Sequence, residues 1–128
     1  MQYEYFYGAQ AEQFSFYRIP KALFTEPNFR ELSTDAKVLY GILLDRMSLS
    51  LKNQWLDAQN KVYIIFTVEE IMDALNCANQ KATRLMVELE KQAGLIERKR
   101  QGLGRPNLIY VKNFAATIND NSCEKGDS

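Results

Sequence analysis

The order of the patterns in residues 67–111 constrains the fold of this chain more than any other feature. Two short helical patterns, separated by a turn of about four residues, precede a strand, a glycine-rich basic turn and a second strand. This order of two helices and a two-stranded basic hairpin is typical of a winged helix-turn-helix. The sequence therefore predicts an α+β fold, a winged helix-turn-helix with a basic β-hairpin wing.

The two helices have recognisable ends. Thr67 and Glu70 have the spacing of a capping box, so the first helix begins there, and it ends in a turn at residues 76–79. Gly94 supplies a left-handed position that ends the second helix. The positions predicted to face the core are Val68, Ile71, Met72 and Leu75 in the first helix, and Ala82, Leu85, Met86, Leu89 and Ala93 in the second.

Upstream of these helices, the sequence predicts a long core helix and a strand. Ser33 or Thr34 is a suitable N-cap, and Asp35 complements the positive end of the helix dipole. Gly41 inside the helix marks a close contact with another helix. Residues 61–66 (KVYIIF) are typical of a strand. The apolar positions of the helix are Val38, Leu39, Ile42, Leu43, Met47 and Leu51, widened by Tyr40 and Leu44.

An aromatic-rich arm opens the chain, since residues 1–24 hold eight of its fifteen aromatic residues. Alternation within residues 3–7 and 14–16 predicts short strands with one buried face. That face packs either on its own domain, the interpretation we favour, or on a second subunit. The candidate dimer contacts are Tyr3, Tyr5, Phe6 and Tyr7. Residues 25–114 form the winged-helix domain, and residues 115–128 form a flexible tail or the start of a linker.

The positive charge of the chain is concentrated in one segment. The net charge is zero, but residues 78–112 contain eight basic and three acidic residues, a net of +5, so the remainder carries −5. Four of the basic residues fall on or beside the hairpin, where long cationic side chains can contact DNA phosphates or enter the minor groove. Charge protection of an exposed strand edge explains one or two such residues, but not four of the same sign. The wing candidates are Arg98, Lys99, Arg100, Arg105 and Asn107.

Polar side chains crowd the start of the second helix, on the side away from its apolar face. In helix-turn-helix proteins this part of the second helix reaches base edges in the major groove, where Arg or Lys binds guanine and Asn or Gln binds adenine. A solvated face has a similar composition, so the prediction of double-stranded DNA binding depends on the hairpin as well. The candidate base contacts are Asn79, Gln80, Lys81, Thr83 and Arg84.

Missing residue types exclude most enzyme and metal-site classes. The chain has no histidine, the commonest general base and zinc ligand, and no GxxxxGK[ST] phosphate-binding motif. Glu69 and Glu70 are adjacent carboxylates, but at a helix start they serve capping rather than catalysis. We therefore predict a non-enzymatic protein without a cofactor or a metal.

The N-terminus, the apolar runs and the cysteines together predict a cytoplasmic location. The N-terminus lacks the layout of a secretion signal, and no apolar run is long enough to span a bilayer. Cys77 and Cys123 lie in a helical turn and a polar tail, which predicts unpaired thiols in a reducing compartment.

Four segments together resemble a known family. They are FYRIPKALF, LSTDAKVLYGILLDRM, FTVEEIMDALN and the wing GLIERKRQGLGRPNLIYVKNF, which ends at Phe114. In this order, over about residues 14–114, they resemble the N-terminal domain of the RepA-type plasmid replication initiators of Gram-positive bacteria.

The resemblance implies sequence-specific binding to iteron-type repeats of double-stranded DNA at a plasmid origin, commonly as a homodimer, to initiate plasmid replication. Base contacts would then come from Gln80, Lys81, Thr83 and Arg84, and phosphate contacts from the four basic wing residues. It also implies a C-terminal domain, absent from this chain, that engages host replication proteins, so we expect the chain to be part of a longer protein.

Two other functions fit the same surface. A transcriptional repressor would use the same helix and wing on a different DNA target. A primosome or replisome interaction module would instead direct the basic hairpin to an acidic partner or to single-stranded DNA.

Overall fold

A computed structural model describes residues 2–8 and 13–115 of the chain. Over these residues the chain forms a mainly helical body with a small antiparallel sheet, which confirms the α+β winged helix-turn-helix prediction. In chain order, the elements are α1 (Ala22–Thr25), a 3-10 turn (Pro27–Phe29), α2 (Thr34–Lys52), α3 (Val68–Leu75), α4 (Asn79–Val87), a π-helical turn (Glu88–Gln92), β1 (Ile96–Lys99) and β2 (Leu108–Val111).

Helix α2 forms the centre of the core. It begins as predicted, because the Ser33 hydroxyl accepts a hydrogen bond from the Ala36 amide at 3.1 Å. Its buried side chains pack with apolar residues from α3, α4, the sheet and the N-terminal segments. Leu51 was predicted to share this apolar face but is exposed, since the last turn of α2 extends beyond the core.

Gly41 marks a close contact, but the contact is not with a helix. A Cβ atom at Gly41 would lie 2.9 Å from the Arg18 carbonyl oxygen and 2.9 Å from Ile19 Cγ1. The extended segment that precedes α1 therefore crosses α2 at backbone distance, where only glycine leaves enough room. This crossing anchors the end of the N-terminal arm to the core.

The predicted capping box at the start of α3 is present. The Thr67 hydroxyl accepts from the Glu70 amide at 3.2 Å, and the Glu70 carboxylate accepts from the Thr67 amide at 3.0 Å. Helix α3 ends at Asn76, whose left-handed conformation (φ 52°) turns the chain towards α4. Gly94 has φ 66° and ends the second helix as predicted.

The hairpin pairs β1 and β2 in antiparallel register, from Ile96 opposite Val111 to Lys99 opposite Leu108. The strand predicted for residues 61–66 is reduced to isolated bridges. Ile64 and Ile109 exchange two backbone hydrogen bonds of 2.9 Å, so residue 64 occupies the third strand position beside β2. The remaining bridge, between Leu56 and Val62, closes a local turn instead of lengthening that strand.

The N-terminal arm differs from its prediction. Residues 3–7 and 14–16 form no strands, and the aromatic side chains along this stretch of the described chain are exposed. The favoured interpretation, burial against the same domain, is therefore wrong for these rings. The T-shaped contacts that Phe14 makes with Phe6 and Phe16, at centroid distances of 6.0 and 6.2 Å, lie within the arm itself.

Two further predictions concern the cysteines and the C-terminus. Cys77 forms no disulfide within the described residues. Cys123 and residues 116–128 of the predicted tail or linker lie outside the described residues. The last described turn is packed, because the Phe114 ring contacts the Phe29 and Tyr40 rings at centroid distances of 5.1 and 5.8 Å.

Candidate nucleic-acid interface

The polar start of α4 faces outward, on the side opposite its buried residues. Ala82, Leu85 and Met86 point into the core, which fixes the rotation of the helix. No side chain caps the N-terminus of α4, since its N-cap residue is Ala78. The exposed side chains at this end are Asn79, Gln80, Thr83 and Arg84.

Lys81 has a different environment from its neighbours on α4. It is half-buried, and its ammonium group lies 2.6 Å from the Asp35 carboxylate in the first turn of α2. Both side chains remain partly exposed, so the pair is screened by solvent and contributes little to stability. Lys81 thus links α4 to α2 and carries a partly compensated charge.

The wing presents three cations without an acidic partner. Lys99, Arg100 and Arg105 are exposed, and none of them forms an ion pair within residues 2–8 and 13–115. Asn107 is also exposed, at the base of the turn. These side chains are therefore free to approach an anionic ligand.

Arg98, the fourth wing cation, is half-buried and has an acidic partner. Its side chain shares the inner face of β1 with Ile96, and its Nη2 and Nε atoms donate to Glu90 Oε1 at 2.8 and 3.1 Å. The Arg98 amide also donates to Glu90 Oε2 at 3.2 Å. These bonds hold the pKa of the Glu90 carboxyl below its ordinary value. The charge of Arg98 is thus neutralised by the π-helical turn that follows α4.

A second carboxylate of the same π-helical turn anchors it to α2. Glu88 is buried, and its two oxygens accept from the Ser33 amide at 2.9 Å and from the Ser33 hydroxyl at 2.8 Å. The turn therefore bonds to the start of α2 through Glu88 and to β1 through Glu90. Neither role was predicted from the sequence, although Glu88 lies three residues after Leu85 on the inward side of the helix, an unusual position for an unpaired carboxylate.

The outer face of the wing is supported by the loop that follows α2. The Tyr110 hydroxyl donates to Asp57 Oδ2 at 3.0 Å, and Asp57 Oδ1 accepts from the Gln59 and Lys61 amides. These hydrogen bonds, led by the one from the Lys61 amide, lower the pKa of the Asp57 carboxyl. Nearby, the Trp55 and Tyr63 rings stack at a centroid distance of 6.4 Å.

The inner end of β2 is fixed to α2. The Tyr40 hydroxyl donates to the Lys112 carbonyl at 2.9 Å, and burial raises the pKa of Tyr40 to about 12. The wing base is thus held by Tyr40, Asp57 and Glu90, each on a different part of the chain. Such anchoring orients the exposed tip relative to α4.

The candidate dimer contacts lie on the N-terminal arm, and their side chains are exposed in the described chain. Tyr3 and Tyr5 are 85% and 82% exposed, and Phe6 and Tyr7 are also exposed. Aromatic side chains contribute strongly to protein interfaces, and contiguous exposed apolar surface often marks an interaction site.

Two kinds of feature are absent from the described part of the chain. It contains no group of three or more His, Cys, Asp or Glu side chains that could hold a metal ion. None of its helices is both long enough and apolar enough to cross a membrane.

Comparison with known sequences identifies relatives over most of the chain. The family model described as replication initiator protein A (RepA) N-terminus matches residues 15–124. The 41 kDa protein of Lactobacillus helveticus is 32% identical over 103 residues, which are 80% of this chain and 28% of that protein. The chain therefore spans just over a quarter of the length of this curated relative.

Solved structures share both fold and sequence with the chain. An N-terminal domain of a DNA binding protein superimposes with a TM-score of 0.72 at 36% identity, covering 99% of this chain and 98% of that one. A structure of a Rep-DNA complex gives a TM-score of 0.72 at 36% identity, with 98% of both chains covered. A structure of an MDR initiator gives a TM-score of 0.67 at 38% identity, covering 93% of this chain and 98% of the other. The chain therefore belongs to the family of N-terminal domains of replication initiator protein A.

Proposed function

We propose that this chain binds double-stranded DNA in a sequence-specific manner at repeats of a plasmid replication origin, as the N-terminal part of a replication initiator. The observation that carries the proposal is the arrangement of α4 and the wing. The exposed polar start of α4 and the exposed cations of the wing belong to one rigid unit, because Glu90 bonds to Arg98 at the wing base.

In this proposal α4 enters the major groove. Gln80, Thr83 and Arg84 contact base edges, where an arginine fork fits guanine and a glutamine amide fits adenine. Asn79 and Lys81 lie at the margin of this surface. The charge of Lys81 is partly compensated by Asp35. We therefore assign Lys81 a contact with the DNA phosphate backbone and not with a base.

The wing then contacts the flanking backbone. Lys99, Arg100 and Arg105 neutralise phosphates, which gives affinity and salt dependence without sequence information. Asn107 can donate to a phosphate at the base of the same turn. Arg98 orients the wing through Glu90, which differs from the phosphate contact implied by its position in the sequence.

The proposal extends to the assembly and its cellular place. Two copies bind adjacent half-sites as a homodimer in the cytoplasm, with Tyr3, Tyr5, Phe6 and Tyr7 covered in the dimer contact. The role is binding rather than catalysis. Host replication proteins are engaged by other parts of the longer initiator, a proposal based on the family and on the small share of the curated relative that this chain spans.

A hydroxyl-radical footprint of the 128-residue chain on the origin of its own replicon tests this proposal. The expected result is protection of repeated sites, with paired half-sites separated by about 10 base pairs or a multiple of that distance. Gln80→Ala should abolish protection at low protein concentration, whereas Arg30→Ala, on an exposed surface of the N-terminal region, should not change it. Protection confined to a promoter would indicate a repressor, and absence of protection would contradict duplex binding.

A further inference from the structure

The tip of the wing carries an apolar side chain in full contact with water. Leu103 is 99% exposed, more than any other large apolar side chain of the described residues. It lies between Gly102 and Gly104 in the turn that joins β1 and β2. A single exposed leucine is common on protein surfaces, so its surroundings must decide whether it has a function.

The turn around Leu103 is closed by its own hydrogen bonds. The Gln101 side-chain amide donates to the Pro106 carbonyl at 2.8 Å, and the Arg105 amide donates to the Gly102 carbonyl at 3.3 Å. Gly102 and Gly104 have φ values of 113° and 78°, which other residues adopt with strain. The chain therefore forms a defined turn with Leu103 at its apex.

The charges beside the apex favour an anionic partner. Residues 98–107 contain four basic residues and no acidic one, and of the four only Arg98 is neutralised by an ion pair in the described part of the chain. The two unpaired arginines nearest the tip, Arg100 and Arg105, are exposed on the two arms of the turn. An apolar apex between two cationic flanks matches the minor groove, in which base edges and sugars lie between two rows of phosphates.

We propose that Leu103 enters the minor groove beside the site bound by α4 and wedges against a base-pair step, unstacking it in part and bending the duplex. The inference rests on the proposed function and adds to it a source of specificity. A wedge favours steps that unstack easily, such as TA and CA/TG, so the protein would select flanking sequence without base hydrogen bonds. Glycines on both sides of Leu103 let the backbone approach the sugars closely.

The test compares the 128-residue parent chain with Leu103→Ala, Leu103→Met and Leu51→Ala. Methionine keeps a long apolar side chain, and Leu51 is an exposed leucine at the end of α2, 54% exposed. Each protein binds a duplex with 2-aminopurine at the step beneath the wing, located by the footprint. Bending is measured by energy transfer between dyes at the duplex ends, and circular dichroism checks folding.

The parent, Leu103→Met and Leu51→Ala should each increase 2-aminopurine fluorescence and bend the duplex. Leu103→Ala should lose most of both signals, and its affinity should fall about tenfold for a TA step while changing less than about threefold for a stiff A-tract. Equal signals for the parent and Leu103→Ala would overturn the inference. Loss of self-association with unchanged bending would also overturn it, since Leu103 would then be a contact between protein copies. If the parent itself shows no salt-dependent duplex binding, the proposed function fails. If the parent binds the duplex but gives the same signals as Leu103→Ala, only the inference about Leu103 fails. The two failures are therefore distinguishable.

Discussion

Arg98 and Glu90 join the wing to the helix that precedes it, with 2.8 Å between Arg98 Nη2 and Glu90 Oε1. The pair lies at the base of the wing, on the inner face of β1, and among the wing cations it leaves Lys99, Arg100 and Arg105 without an acidic partner in the described residues. The two classes of wing cation should therefore respond differently to mutation.

Arg98→Ala and Arg100→Ala should differ in the salt dependence of DNA binding. Arg100→Ala removes a phosphate contact, so the slope of log K against log salt should become shallower by about 1. Arg98→Ala disturbs the orientation of the wing, so affinity should fall while the slope stays close to that of the parent. Fluorescence anisotropy over a series of KCl concentrations measures both quantities. An equal loss of slope in the two variants would assign Arg98 to a phosphate.

Glu90→Gln should change how the free energy of unfolding depends on pH. The folded pKa of Glu90 is lowered, chiefly by its hydrogen bond from Arg98, so the carboxylate stabilises the fold above its unfolded pKa of about 4.3. This contribution is lost as the pH falls through the folded pKa. At pH 7 the free energy of unfolding of the parent should exceed that of Glu90→Gln by about 1 to 2 kcal/mol, and this difference should shrink below about pH 4. Urea unfolding at several pH values measures it, and a difference independent of pH would contradict the assignment.

Arg84→Ala should weaken binding to the cognate repeat by about 1 to 3 kcal/mol, because a fork of hydrogen bonds to a guanine is lost. Binding to an unrelated duplex should change much less. Arg30→Ala is the matched control, since Arg30 is an exposed arginine remote in sequence from α4 and the wing. Titrations of both duplexes at one salt concentration provide the comparison. A uniform loss on the two duplexes would show that Arg84 binds a phosphate.

Gly41→Ala should destabilise the domain, although the same change usually favours a helix by about 1 kcal/mol. The new Cβ atom would lie 2.9 Å from the Arg18 carbonyl oxygen, so the N-terminal segment must move away from α2. We expect a loss of about 1 to 3 kcal/mol in the free energy of unfolding. Ser48→Ala, at an exposed position of the same helix, should be close to neutral. Increased stability of Gly41→Ala in urea would show that the segment does not pack there.

Tyr3→Ser combined with Tyr5→Ser should reduce dimer formation without lowering the melting temperature. Both rings are exposed in the single chain, so their removal costs little packing within the domain. Sedimentation velocity at several protein concentrations, with and without duplex, measures the dimer fraction. An unchanged dimer fraction would place the dimer contact elsewhere, and a lower melting temperature would show that the arm packs on its own domain.

The features predicted correctly depend on short-range chemistry. The capping box of Thr67 and Glu70 needs only residues three apart, and Gly94 ends a helix by its own backbone freedom. The turn at Gly102 and Gly104 is likewise local, as is the Ser33 cap of α2. These local signals were sufficient to define the order of helices and hairpin, and hence the fold class.

The features that were missed depend on which segments meet in space. Ile64 has a single strand partner, Ile109, so the apolar run around it does not become a full strand. Arg98 resembles its basic neighbours in sequence, and only the pleat of β1 turns it towards Glu90. The alternation of aromatic residues in the arm indicates two faces, but it does not indicate whether either face is covered. Each of these outcomes is set by tertiary contacts that residue spacing does not encode.

The central claim is that α4 and the wing form one duplex-binding surface, and a salt titration of binding to an origin repeat tests it most directly. The 128-residue chain should bind the repeat more tightly than an unrelated duplex at every KCl concentration, and log K should fall linearly with log salt for both duplexes. In the Lys99→Ala, Arg100→Ala and Arg105→Ala triple variant, the slope should become shallower by about 3 while the preference for the repeat is kept. No preference for the repeat, or a slope that the triple variant leaves unchanged, would contradict the account.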